Sequence, residues 1–137
     1  MGTSFAQRMV EAWNSGNVEK IGEMYATDVQ VLHPMVPDVL TGRDAVVQFE
    51  GGMFAAFSEI RWEATRVVAD GPNVALEFQV EATNSAPIPS PQGMVPATGK
   101  RITLRGVSLF TLNAKGEITE ERRYFDSGSF FGQLGLG

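Results

Sequence analysis

Apolar residues at helical spacing open the chain. Phe5, Met9, Ala12 and Trp13 fall on one face of a predicted helix, with Thr3 or Ser4 placed to cap it. The run Asn14-Ser15-Gly16-Asn17 stops that helix, and Val18, Ile21, Met24 and Tyr25 outline a short second one. A strand, VQVLHP, follows and is closed at His33 by the restriction that a proline places on the residue before it. Val46, Val47, Phe49, Met53, Phe54 and Phe57 then mark a third helix, whose Gly51-Gly52 pair allows a bend. Beyond residue 58 the period changes to two. EIRWEATRVVAD and NVALEFQVEAT are joined by DGPN, and KRITLRGVSLFTL and EITEERRYFD by NAKG, so two hairpins are expected. The proline-rich stretch 84–99 between them reads as a loop, and SGSFFGQLGLG as a short closing helix.

Helix, helix, strand, helix and then four antiparallel strands describe an α+β fold. In it, three N-terminal helices pack on one side of a curved antiparallel sheet, a cone able to enclose an apolar cavity. The 137 residues suit one domain over 1–137, with no repeat and no internal boundary.

Composition narrows the chemistry. Eleven Lys and Arg against 16 Asp and Glu give a net charge of −5, which argues against nucleic-acid or anionic-membrane partners. With no Cys and one His, thiol catalysis, cysteine-held zinc and a multi-histidine metal site are all excluded. No apolar run approaches the ~20 residues that span a bilayer, and the N-terminus lacks the apolar core of a signal peptide. The default expectation is a soluble cytoplasmic protein.

Few residues remain as candidates for chemistry. Period two sets Glu120, Arg122, Tyr124 and Asp126 on one face of the last strand, and Thr119, Glu121, Arg123 and Phe125 on the other. Asp126 is either the cap of the closing helix or a carboxylate turned inward as an acid/base, with Ser127 taking over as cap. His33 shares its parity with Val29 and Val31. It is either a core residue or a hydrogen-bonding and proton-shuttling group. Glu77, Gln79 and Glu81 alternate with Leu76, Phe78 and Val80, so they face either water or a cavity. Trp13, Tyr25, Met35, Phe54, Phe57 and Trp62 are core residues of which some would line a cavity for a small apolar molecule.

The segments WNSGNVEKIGEMYATDVQVLHP, GRDAVVQF and GKRITLRGVSLFTLNAKGEITEERRYFDSGSFFGQLG come in an order that resembles the SnoaL-like polyketide cyclase group of the NTF2-like superfamily. The resemblance covers most of the chain. It implies an NTF2-like cone and a cofactor-free acid/base enzyme, of aldol-cyclase or isomerase type, acting on an apolar carbonyl compound. Asp126, in its YFD ending before QLG, would be the acid/base and His33 its partner. Tyr124, Gln79 and Glu81 would contact the substrate. The loop 85–97 would cover the mouth. Related epoxide hydrolases place a Tyr and an Asn where Val31 and His33 stand here. Their Arg and Asp fall at Gln79 and Glu81. The resemblance also implies a homodimer through the outer face of the sheet, near Val107 and Leu109. A non-catalytic module binding an apolar metabolite, or a hydrolase adding water at the same Asp, are the alternative functions.

Overall fold

The computed structural model describes residues 2–90 and 93–136. Helix α1 (Gly2–Asn14) buries Phe5, Ala6, Met9, Ala12 and Trp13, the stripe that the sequence spacing marks. It begins at Gly2, so Thr3 and Ser4 lie within its first turn. Asn17 caps α2 (Val18–Glu23), its Oδ1 accepting from the amides of Glu19 (3.0 Å) and Lys20 (3.4 Å). That helix ends sooner than its apolar spacing suggests. Tyr25, expected on the helix, instead opens strand β1 (Tyr25–Leu32).

After the short strand β2 (Leu40–Thr41), helix α3 (Arg43–Ala56) runs without interruption through Gly51 and Gly52. Both expected hairpins are present: β3 (Phe57–Asp70) with β4 (Asn73–Asn84), and, later in the chain, β7 (Arg101–Leu112) with β8 (Ile118–Phe125). The proline-rich segment holds more order than a loop. Ile88–Ser90 (β5) and Gly93–Val95 (β6) pair as a small separate hairpin. Its seat accounts for Gly52 of α3, because a Cβ there would lie 3.2 Å from the Pro89 ring. Helix α4 (Ser127–Gln133) closes the described fold.

The main sheet runs β2-β1-β8-β7-β4-β3. Its pairs are antiparallel except β1 with β8, which is parallel, so the N-terminal strand is inserted beside the last one. α1 lies on β3 and β4 while α3 lies on β1, and the core fills the space between these helices and the concave face. β7 alternates cleanly, with Ile102, Leu104, Ser108, Phe110 and Leu112 inward. Gly106 continues that row, where a Cβ would meet the Tyr124 carbonyl oxygen at 2.5 Å and Phe78 Cζ at 2.7 Å. Near its start, β3 shifts register between Ser58 and Arg61, with Glu59 at a φ of 52°. This local kink turns Ile60 and Trp62 toward the cavity.

Candidate active site

α3, β3, β4, β7, β8 and α4 surround a cavity whose wall is largely carbon: Met53, Phe54, Phe57, Ile60, Trp62, Val80, Ala82, Ile102, Leu104, Phe125 and Phe130. Three residues with polar side chains besides Trp62 complete it, namely His33, Glu50 and Arg123. Each follows from a local pattern. Glu50 sits one turn after Val46 and one turn before Met53 and Phe54, on the inner stripe of α3. Arg123 belongs to the inward set of β8, together with Glu121 and Phe125. His33 follows the last residue of β1, at the inward parity of Val29 and Val31.

His33 is 5% exposed, with Phe49 and Phe125 edge-on to its ring at 4.6 and 5.5 Å. Its Nδ1 accepts from the Met35 amide at 3.1 Å. Burial, and next the positive charge of Arg123, push its pKa down to about 2, so the imidazole is neutral at ordinary pH. A neutral ring that accepts at Nδ1 carries its proton at Nε2. His33 is thus a fixed hydrogen-bond donor on the cavity wall.

Glu50 accepts from Arg123 Nη1 through Oε1 at 3.2 Å, and Oε2 has no donor among the described residues. Burial raises its pKa above the usual carboxylate range; Arg123 opposes the rise and Glu121 adds to it. A carboxyl group that bears its charge reluctantly, with one oxygen unused, is suited to exchanging a proton with a bound molecule.

Behind the wall, Glu121 is saturated. Oε1 accepts a short hydrogen bond from the Tyr25 hydroxyl, and Oε2 accepts from Ser108 Oγ at 2.7 Å and Arg123 Nε at 3.0 Å. Arg123 Nη2 stands 2.9 Å from the same oxygen, but off the line of its N–H bonds, so that contact is ionic. Burial works against the Arg123 charge, yet Glu121 and Glu50 outweigh it and leave the guanidinium pKa above its ordinary value. Burial, and then Glu121, likewise raise the Tyr25 hydroxyl pKa. The guanidinium also lies over the rings of Trp13 and Trp62, at 5.3 and 5.8 Å. These rings stack on each other at 4.4 Å. Asn14 fixes the Trp62 backbone from both sides, accepting from its amide at 2.7 Å and donating to its carbonyl at 2.9 Å.

Several sequence expectations need correction. Asp126 is exposed and is the N-cap of α4, its Oδ1 accepting from the Ser129 amide at 3.1 Å; it is not part of the cavity wall. The inward parity of β8 belongs to Glu121, Arg123 and Phe125, which sends Tyr124 to the outer face, 45% exposed. Gln79 and Glu81 face outward too, where they meet Arg105 (3.1 Å) and Arg101 (3.7 Å), while Val80 and Ala82 take the cavity side. Trp13 and Tyr25 are fully buried behind the wall. Met35 packs on the core without joining it. Phe54, Phe57 and Trp62 do line the cavity. Of the segment expected to cover the mouth, residues 91 and 92 lie outside the described residues, and Ile88–Ser90 packs against α3, with Pro89 beside Gly52.

Glu50 was not singled out from the sequence, nor were Glu121 and Arg123. The signal was a carboxylate in the middle of an apolar helical stripe, and an acid and a base two residues apart at the parity of Phe125.

The comparisons agree with this architecture. No curated protein matches the sequence significantly. Among solved structures, a hypothetical protein with a ketosteroid isomerase-like fold from Catenulispora acidiphila DSM 44928, in complex with trimethylamine, superposes with a TM-score of 0.81 at 17% identity, over 100% of this chain and 96% of that one. A protein from Jannaschia sp. CCS1, assigned to the SnoaL-like polyketide cyclases, gives 0.84 at 19% identity, over 99% and 92%. SalBIII, an epoxide hydrolase/cyclase-like enzyme of pyran ring formation in the polyether salinomycin, gives 0.74 at 26% identity, over 93% and 92%. The SnoaL-like domain profile matches residues 6–121, and the chain belongs to the SnoaL-like domain family.

Proposed function

We propose that this protein is an enzyme that moves protons on a small apolar carbonyl compound, with Glu50 as the acid/base and His33 as the donor to the carbonyl oxygen. One observation carries the proposal. An otherwise apolar cavity holds a buried carboxylate with an unused oxygen and a neutral imidazole whose tautomer is set as a donor. Family membership and the cyclase-like neighbours support the same class of chemistry.

Ionised Glu50 takes a proton from the carbon next to the carbonyl. The C–H electron pair becomes the C=C of an enolate, and the charge settles on the oxygen that accepts from His33 Nε2–H. Glu50 then returns the proton. Delivered to another carbon, it completes an isomerisation. In a cyclisation the enolate carbon first attacks a second carbonyl of the same molecule, and the proton goes to the new alkoxide. The carbon wall excludes water, which strengthens both hydrogen bonds and suppresses competing hydrolysis.

The test is exchange of α-protons for deuterium in enolisable apolar ketones such as indan-1-one and 2-tetralone, followed by proton NMR in D2O. The protein should exchange them faster than buffer, and Glu50→Gln should lose roughly 10²-fold or more of that rate. A protein that binds such ketones yet exchanges them no faster than buffer is a binding module instead.

We also propose that the chain pairs with a second copy through the outer sheet face, where Val68, Leu109 and Tyr124 are 59%, 43% and 45% exposed. Light scattering should give twice the chain mass, and Leu109→Glu should give the monomer.

A further inference from the structure

The five-residue polar cluster behind the cavity is built unequally, and the inequality suggests a division of labour. Glu121 takes donors from three residues on three strands: Tyr25 of β1, Ser108 of β7 and Arg123 of β8. Glu50 takes one donor. Both carboxylates share a single guanidinium, so any extra demand that Glu121 makes on Arg123 weakens what is left for Glu50. The hydroxyls of Tyr25 and Ser108 reduce that demand asymmetrically, since both serve Glu121 and neither reaches Glu50.

We propose that Tyr25 and Ser108 are positioning residues that lock Glu121 to Arg123 as a fixed pair, leaving Glu50 as the one carboxyl of the cluster free to exchange a proton with a bound molecule. The inference rests on the acid/base reading of Glu50 and adds residues that touch neither the cavity nor its ligand. Glu50 is faced by Arg123 and Glu121 from β8, by Tyr25 from β1 and by His33 at the end of β1. His33 stays neutral, so it adds no charge of its own.

Removing a hydroxyl changes this balance in a definite direction. Without the Tyr25 O–H, Glu121 Oε1 is left buried with no donor, and Glu121 must lean harder on Arg123. Less of the Arg123 charge is then left for Glu50, and its ionised form is disfavoured. Deleting Ser108 Oγ has the same sign through Oε2, and it also frees Arg123 Nε of a second contact at 3.2 Å.

The experiment is a carbon-13 NMR titration of protein labelled at the glutamate carboxyl, with the Glu50 signal identified by its loss in Glu50→Gln. In both Tyr25→Phe and Ser108→Ala the Glu50 transition should move to higher pH than in the parent. If Tyr25→Phe does not fold, Ser108→Ala decides alone, because it removes only one oxygen from a packed strand. A purely structural role would lower the melting temperature of both variants and leave the Glu50 transition in place, and that result overturns the proposal, as would a move to lower pH. The titration is read without substrate. It therefore succeeds or fails separately from the ketone exchange that tests Glu50 as acid/base.

Discussion

Replacing Glu50 by Gln should stabilise the protein while cutting its exchange activity roughly 10²-fold or more, and the gain in stability should depend on pH. The folded state holds the Glu50 pKa above the usual carboxylate range, so it binds a proton more readily than the unfolded chain does. Its contribution to stability is therefore complete below that usual range and is lost as pH rises through the raised folded value. Gln resembles the protonated acid in shape and still offers an amide oxygen to Arg123 Nη1, so the two proteins should melt alike at acid pH. Above the folded value the parent must keep an extra charge in a cluster where two carboxylates share one guanidinium. Ionising a buried group costs several kcal/mol. The charged hydrogen bond to Arg123 returns about 1.5–3 kcal/mol of that. A net advantage of about 1 kcal/mol for the variant remains. In a chain of 137 residues that raises Tm by roughly 3–5 °C. Thermal melts of both proteins from acid to mildly alkaline pH read this directly, as two curves that meet at low pH and diverge upward. A variant less stable at every pH, by about 3–5 kcal/mol as for a broken buried ion pair, would show that Arg123 needs the Glu50 charge, and the reasoning would be wrong.

Other outcomes follow from the same geometry. Asp126→Asn should leave ketone exchange unchanged, and Asp126→Ala should cost about 1 kcal/mol by urea unfolding, as for any lost N-cap. Gly106→Ala should destabilise by about 1–3 kcal/mol in the same assay, because the added carbon meets a backbone carbonyl oxygen at 2.5 Å. With Glu50 as base and His33 neutral throughout, the exchange rate should rise with pH in a single step through the raised Glu50 value, with no second step from the imidazole. A bell-shaped profile centred near neutral pH would instead assign a titrating role to His33.

The fold was legible because its signals are local. The α1 stripe, the DGPN and NAKG turns and the alternation of the long strands each need only neighbouring residues. Tyr25 shows where locality fails: it continues the α2 spacing of Ile21 and Met24, but its backbone is drawn into a ladder against Ile118. The site failed for a related reason. Both faces of β8 carry an acid and an arginine, so hydropathy could not say which face is inward. That was decided by Glu50, 73 residues away, which gives Arg123 a buried partner. An aspartate at the end of that strand looked like the working acid because its type and position fit a pattern. The free amide of Ser129, three residues on, had the stronger claim to it. The pairing of Ile88–Ser90 with Gly93–Val95 was hidden in the same way, since it is seated on Gly52 of a distant helix.

The stacking of Trp13 on Trp62 makes the cavity visible to light. These are the only two tryptophans of the chain, so all of its indole emission arises beside Arg123 at the cavity wall. At 4.4 Å the rings are close enough for their electronic transitions to couple, which should give a split near-ultraviolet dichroism signal that vanishes in either single Trp→Phe variant. Any molecule that settles against Trp62 must disturb that signal. The protein thus carries a built-in optical reporter for its own ligand, and a metabolite collection can be screened against it with no label and without first identifying the reaction.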